Sequence, residues 1–255
     1  MRKLFFWLVF FPLCLSAQTD ESDTLKLKAS LSVTGFWQTG NVNTIIFRTK
    51  ADITYRPWEK WKFNTKNSYL YQEFGKKKAD EDILSLNFLS YNPDSRFFPL
   101  LICIVSSNYR RKIGVRYLLG GGLTFKAIDK EDDWLKFSLS CEYENTNFRE
   151  NTFNFDEYNG LRSINTARST LWVNSQSQLF EDKLILSLEA YFQPSLLDEN
   201  NFRWQADLSV ELPITKHLNF KINYLHTYEQ IVIEDQRQED RILTFGLNFK
   251  SYQTN

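Results

Sequence analysis

Histidine and cysteine are nearly absent from this sequence: there are two of the first, His217 and His226, and three of the second, Cys14, Cys103 and Cys141. A metal centre needs such ligands grouped. Cys103 and Cys141 instead sit among apolar residues with no histidine or second cysteine nearby, so no metal and no cofactor is expected. Export would allow these two thiols to oxidise to a disulfide, but their neighbours favour two small apolar side chains. An excess of either charge is also missing, with 31 basic against 31 acidic residues. That balance excludes nucleic acid as a partner, because phosphate binding needs a basic surplus. Glycine (9) and proline (6) are sparse and form no linker, which points to one large domain. Beyond Leu15 no apolar run approaches the roughly 20 residues of a transmembrane helix.

The N-terminus does carry a signal. Arg2 and Lys3 precede the apolar stretch Leu4 to Leu15, and Ser16-Ala17 offers small residues for cleavage before Gln18. This is the layout of a secretory signal peptide, so residues 1–17 read as a leader and 18–255 as the exported domain. Leu13 and Pro12 before Cys14 do not suit a lipid-attachment site.

Aromatic residues make up 16% of the chain, yet its mean hydropathy is −0.42. The two facts are compatible only if apolar and polar residues interleave. They do so with a period of two, the mark of strands with one greasy and one polar face. Phe202, Trp204, Ala206, Leu208, Val210 and Leu212, for example, alternate with Arg203, Gln205, Asp207, Ser209 and Glu211. Twelve candidate strands follow, near 26–38, 43–56, 59–73, 80–92, 97–108, 114–127, 133–147, 164–179, 183–196, 202–213, 217–229 and 239–251. The fifth is almost continuously apolar, and the eighth is weak on both faces. Tight turns follow the even strands. Longer polar loops, including Gly75 to Asp80 and Asn147 to Ile164, follow most odd ones.

An all-β, single, transmembrane, antiparallel up-and-down barrel of about 12 strands fits these observations better than a soluble periplasmic barrel binder. The strands are long enough for a tilted span of 9–11 residues. A ring this wide lined by apolar groups would enclose a dry void, whereas a polar lining can fill with water and ion pairs. Aromatics such as Trp37, Trp58, Trp61, Phe74, Tyr91 and Trp134 gather at proposed strand ends, as at membrane interfaces. The closing strand, with Phe245, Leu247 and Phe249 in one register, resembles the terminal signal read by the barrel-insertion machinery. Outer-membrane lipid and that machinery are the expected partners.

Thr39-Gly40-Asn41-Val42-Asn43-Thr44 resembles the Gly-Asn turn of the YdiY-like family of salt-induced outer-membrane proteins, a domain-of-unknown-function family. Ala51-Asp52-Ile53-Thr54-Tyr55-Arg56, Lys66-Asn67-Ser68-Tyr69-Leu70-Tyr71 and Arg116 to Leu123 carry the resemblance further. It implies a bacterial outer-membrane location and no established activity.

Catalytic residues are not expected. His226 is followed two positions on by Tyr228, where the His-x-Ser dyad of a phospholipase-like enzyme would need serine. Gly120-Gly121-Gly122 lacks the Lys-Ser/Thr and helix of a phosphate loop; glycine inside a strand marks a kink or a close approach. Function therefore falls to the inward register: Arg48, Lys50, Asp52, Lys62, Lys66, Arg116, Lys126, Glu142, Glu144, Arg168, Glu189, Arg203, Asp207, Glu211 and Lys221. These charges are expected to pair across the lumen, as a filling or as the lining of a narrow pore. The expected role is a structural component or a narrow small-solute or ion channel. The alternatives are a lipid-acting enzyme, or surface binding through Phe148, Phe153, Phe155 and Tyr158 of the longest loop.

Overall fold

Alternating sequence becomes strand after strand. The computed structural model describes residues 26–40, 43–130, 133–181 and 183–253; the expected leader, its cleavage point and Asn41-Val42 lie outside them. Twelve strands run in chain order: β1 Leu27–Gln38, β2 Thr44–Trp58, β3 Trp61–Phe74, β4 Lys77–Tyr91, β5 Phe97–Asn108, β6 Ile113–Asp129, β7 Trp134–Phe148, β8 Ser163–Leu179, β9 Leu184–Pro194, β10 Phe202–Thr215, β11 Leu218–Glu229 and β12 Glu239–Gln253. Each pairs antiparallel with its neighbours in sequence, and β1 closes on β12 from Leu27↔Gln253 to Gly35↔Phe245. Closure removes the unpaired edges of an open sheet.

The distribution of side chains is the reverse of a soluble protein. Leu119, Leu123, Leu139 and Leu101 are about 60% exposed or more on the outer face, at 66, 60, 60 and 59%. Glu144, Arg168, Arg203 and Asp207 are buried. Strands of 11 to 17 residues meet or exceed the 9–11 that a tilted span requires. A closed barrel with an apolar outside and a charged inside is a lipid-spanning structure, since only there does the exterior meet no water. The soluble barrel is thereby excluded. Trp37, Trp58, Phe74 and Tyr91 are exposed at strand ends, where the two membrane interfaces fall.

One expected loop is absent. The segment Gly75 to Asp80 is not a long polar loop: Gly75 and Lys76 alone turn the chain, with φ of 56° and 64°, and β4 begins at Lys77. Two successive positive φ values give a hairpin turn whose twist matches the strands. The lysine run that looked like loop pairs instead with the end of β3, Phe74 against Lys77.

Candidate functional site

The charged register meets inside the ring in three groups. In the first, Arg48 and Lys50 of β2 converge on Asp207 of β10, at 2.9 and 2.5 Å, and Arg48 also reaches Asn223. Lys66 of β3 pairs with Glu189 of β9, six strands away on a ring of twelve and so on the opposite wall. Asp52 faces Lys66 across the β2–β3 register. The second group gathers arginines toward the end where the long loops lie. Glu144 of β7 accepts from Arg168 Nε at 2.7 Å and Arg203 Nη2 at 2.6 Å, with Arg116 Nε 3.8 Å away. Arg116 and Arg111 share Glu229, and Arg111 continues to Asp240 at 3.0 Å. The third group lies toward the tight turns, where Lys221 and Lys250 flank Glu211 at 3.2 and 3.0 Å. Three remaining members stand apart. Lys62 lies 5.8 Å from the centre of the Phe98 ring, Lys126 pairs with Asp129 at 2.7 Å, and Glu142 accepts from the hydroxyls of Ser140 and Thr170. None of the fifteen inward charges is exposed.

An apolar bulkhead interrupts this polar interior. Leu86, Leu100, Ile102, Ile104 and Leu118, from the adjoining strands β4, β5 and β6, pack against Trp172 of β8, with Phe88 and Tyr191 at its margin. The continuous apolar run of β5 explains it: Phe97, Leu101 and Val105 face lipid, while Phe98, Leu100, Ile102 and Ile104 face inward. An all-polar lumen, as expected from alternation, is therefore corrected along this wall. Cavities of about 40 and 90 Å³ lie beside the bulkhead.

Two long loops close the mouth above. The β7–β8 connection, with a short 3₁₀ turn at Asp156–Tyr158, meets the β11–β12 connection in an antiparallel bridge, Phe153↔Ile233. Asn154 staples them: its backbone N–H donates to the Val232 carbonyl, its Oδ1 accepts from the Val232 N–H at 3.0 Å, and its Nδ2 donates to the Gln230 carbonyl at 2.9 Å. Phe148, Phe153, Tyr158, Ile231 and Ile233 form a buried cluster beneath the bridge with Ile113 and Ile164. Burial of each such side chain is worth about 1.5–3 kcal/mol, so the cap rests in a deep well.

The family model for proteins of unknown function, DUF481, matches residues 19–250. The chain belongs to the DUF481 family. No curated protein matches this DUF481 sequence. Among solved structures, the NanC porin is similar over 87% of this chain and 100% of its own, with 13% identity and a TM-score of 0.54. The translocator domain of the autotransporter NalP from Neisseria meningitidis covers 88% of this chain and 86% of its own, at 10% identity and a TM-score of 0.43. The first of these likenesses supports the barrel fold and nothing finer.

Within this DUF481 barrel, the loop aromatics expected to capture a surface partner are spent on the cap. Phe148, Phe153 (3% exposed) and Tyr158 (8%) are buried, and Phe155 packs half-buried against the same cluster. The Tyr158 hydroxyl donates to Asp198, and burial beside that carboxylate pushes it up to about 12. Sequence reasoning missed Arg110, Arg111, Asp80 and Asp240, which sit at strand ends or in a turn where alternation stops. Outside, His226 is an interfacial residue: it meets Trp204 edge-on at 4.5 Å and lies 2.5 Å from Glu239. Cys103 and Cys141 are free and exposed on the outer face.

The staple is testable. Replacing Asn154 with alanine removes two side-chain hydrogen bonds, each with a net worth of about 0.5–1.5 kcal/mol. Amide exchange at Val232 should accelerate accordingly, while the global urea midpoint stays unchanged because the cap adds nothing to strand pairing. An unaltered exchange rate would show that the loops are held by something other than Asn154.

Proposed function

We propose that this chain is an outer-membrane barrel, exported through a leader at residues 1–17, that serves as a narrow small-solute channel held shut by its cap. The observation that carries the reading is the bridge between two loops of different hairpins, drawn across a charge-lined lumen that still holds cavities. A barrel built only to fill its own interior has no need of a separate cover. The wall charges pair with one another, so they would favour neither sign strongly. Phe245, Leu247 and Phe249 face outward at 40, 38 and 46% exposure on the closing strand, as insertion machinery reading that strand would require.

Planar-bilayer recording tests the reading at about 1 M salt, where the part-exposed Lys66–Glu189 pair is screened. The intact protein should give rare, brief openings. Deleting residues 151–160 together with 231–236 should convert these to steady conductance. Silence from both forms would leave a purely structural barrel.

A further inference from the structure

Beside the bulkhead, two hydrogen-bond donors end on nothing. Arg168 uses all five of its N–H groups, on Glu144, the carbonyls of Gln193 and Asn201, and the Asn201 side chain. Arg203, its neighbour on Glu144, does not. Its Nε donates to Gln193 at 2.7 Å and its Nη2 to Glu144 at 2.6 Å, but Nη1 is buried without a hydrogen-bond partner. Glu229 Oε1 lies 3.8 Å from Nη1, close enough for an ion pair but too far for a hydrogen bond. The indole Nε1 of Trp172 is likewise buried and unpartnered. Arg203 is 5% and Trp172 2% exposed, and both line the smaller cavity. An unmade hydrogen bond at such a site costs about 1–3 kcal/mol, more at a charged group.

Neither donor can accept, so the missing partner is an acceptor. The remaining wall says what it is attached to. Leu84, Leu86, Ile104 and Leu118 present aliphatic surface to the same cavity. An inorganic anion would waste that surface, and an alcohol brings one oxygen to two separate donors where a carboxylate brings two. The larger cavity shares Leu84, Ser106, Arg116, Tyr191 and Arg203 with the smaller, so the two adjoin, and the smaller is the chamber that the two donors line. At roughly 10–15 Å³ for each water-sized group, it has room for a handful of heavy atoms.

We propose that this chamber is a binding site for a short aliphatic monocarboxylate, its carboxylate on Arg203 Nη1 and Trp172 Nε1 and its hydrocarbon against the leucine wall. The proposal deepens the channel reading by naming a solute class, and it rests on that reading for passage but not for binding. The ionic groups of the larger cavity are evenly matched: Arg110, Arg111, Arg116 and Arg203 against Asp80, Asp82, Glu229 and Asp240. Long-range attraction is therefore absent and affinity is modest, as a conducted solute requires for release.

Titration calorimetry of the full chain in detergent with sodium butyrate provides the test, with butylamine, 1-butanol and potassium chloride as parallel ligands. Butyrate should bind in the millimolar range and the other three should not. Trp172→Phe keeps an aromatic ring in the bulkhead and removes the donor, and should weaken butyrate about tenfold, the loss of roughly 1.4 kcal/mol. Arg203→Lys keeps the charge beside Glu144 and should weaken it similarly. Absence of butyrate binding to the unaltered protein means the donors hold water only and overturns the site. Equal binding of chloride or butylamine, or of butyrate to Trp172→Phe, overturns it too. A protein that binds butyrate yet never conducts leaves the site standing and removes the channel. One that conducts without binding butyrate does the opposite.

Discussion

Glu144→Gln should destabilise the barrel by about 3–5 kcal/mol, the cost of stripping the partner from buried charges. Glu144 is 1% exposed and holds Arg168, Arg203 and, more distantly, Arg116, while Thr146 donates to it at 3.0 Å. Glutamine has nearly the same shape, so no cavity opens and the loss isolates charge. Three guanidiniums from β6, β8 and β10 would then face one another, with Glu229 paired to Arg116 and 3.8 Å from Arg203 and Glu142 the other carboxylate near Arg168. Urea unfolding in lipid vesicles, followed by tryptophan fluorescence, measures the effect. Asp129→Asn is the control: its pair with Lys126 sits at the rim with the carboxylate 52% exposed. Such a pair contributes about 0–1 kcal/mol and is further screened by salt. The Glu144 effect should persist at high salt. Combining Glu144→Gln with Arg203→Gln should recover part of the loss, because removing both partners leaves less unpaired charge than removing one. A Glu144→Gln barrel as stable as its parent would mean that water, not this carboxylate, satisfies the arginines.

Why Glu144 belongs to Arg203, 59 residues further on, could not be read from the sequence. Alternation was legible because each strand repeats it locally: Arg203, Asp207, Ser209 and Glu211 turn inward in the structure as their register implies, and Leu208 and Leu212 turn outward. Strand order followed from turn chemistry, and all twelve strands fall within three residues of their expected bounds. Which inward charge meets which is a different matter. Lys66 and Glu189 are 123 residues apart and meet because the ring closes, a property of the stagger between strands that no local pattern carries. The cap was illegible for a related reason. Phe153 and Ile233 look like aromatic and aliphatic residues stranded in polar loops, and only the folded mouth brings them together. Beneath it, the unbroken apolar run from Phe97 to Val105 carries a signal that alternation alone does not contain. When both registers of a barrel strand are greasy, one of them needs an apolar partner inside, and Trp172 is that partner.

Valine at position 122 should prevent folding of the barrel, and alanine there should already cost about 3 kcal/mol, the upper range for forcing extra carbon into a packed site. A Cβ on Gly122 would stand 2.1 Å from the Leu139 carbonyl oxygen and 2.6 Å from the Ser140 Cα; at Gly120 the Cys141 carbonyl oxygen would be 2.0 Å away. These are backbone atoms of the adjoining β7, so no rotamer change relieves the clash. The glycines do not serve a phosphate, nor do they mark a flexible point. They let the wall of β6 and β7 bend tightly enough for the β7 backbone to occupy the space where inward side chains would begin. Gly121 between them faces the other way, with Leu101 Cδ2 3.3 Å and the Leu100 oxygen 3.1 Å from its imagined Cβ. Leu101 is 59% exposed to lipid and can move aside, and the Leu100 backbone oxygen at 3.1 Å needs to yield only a few tenths of an ångström. Gly121→Ala should therefore cost under about 1 kcal/mol, a surface-type change. Heat-modifiable gel migration separates the cases: full at Gly121→Ala, reduced at Gly122→Ala and lost at Gly122→Val. Equal tolerance at 121 and 122 would mean that β7 can step back, and that the tight bend is not what holds this wall together.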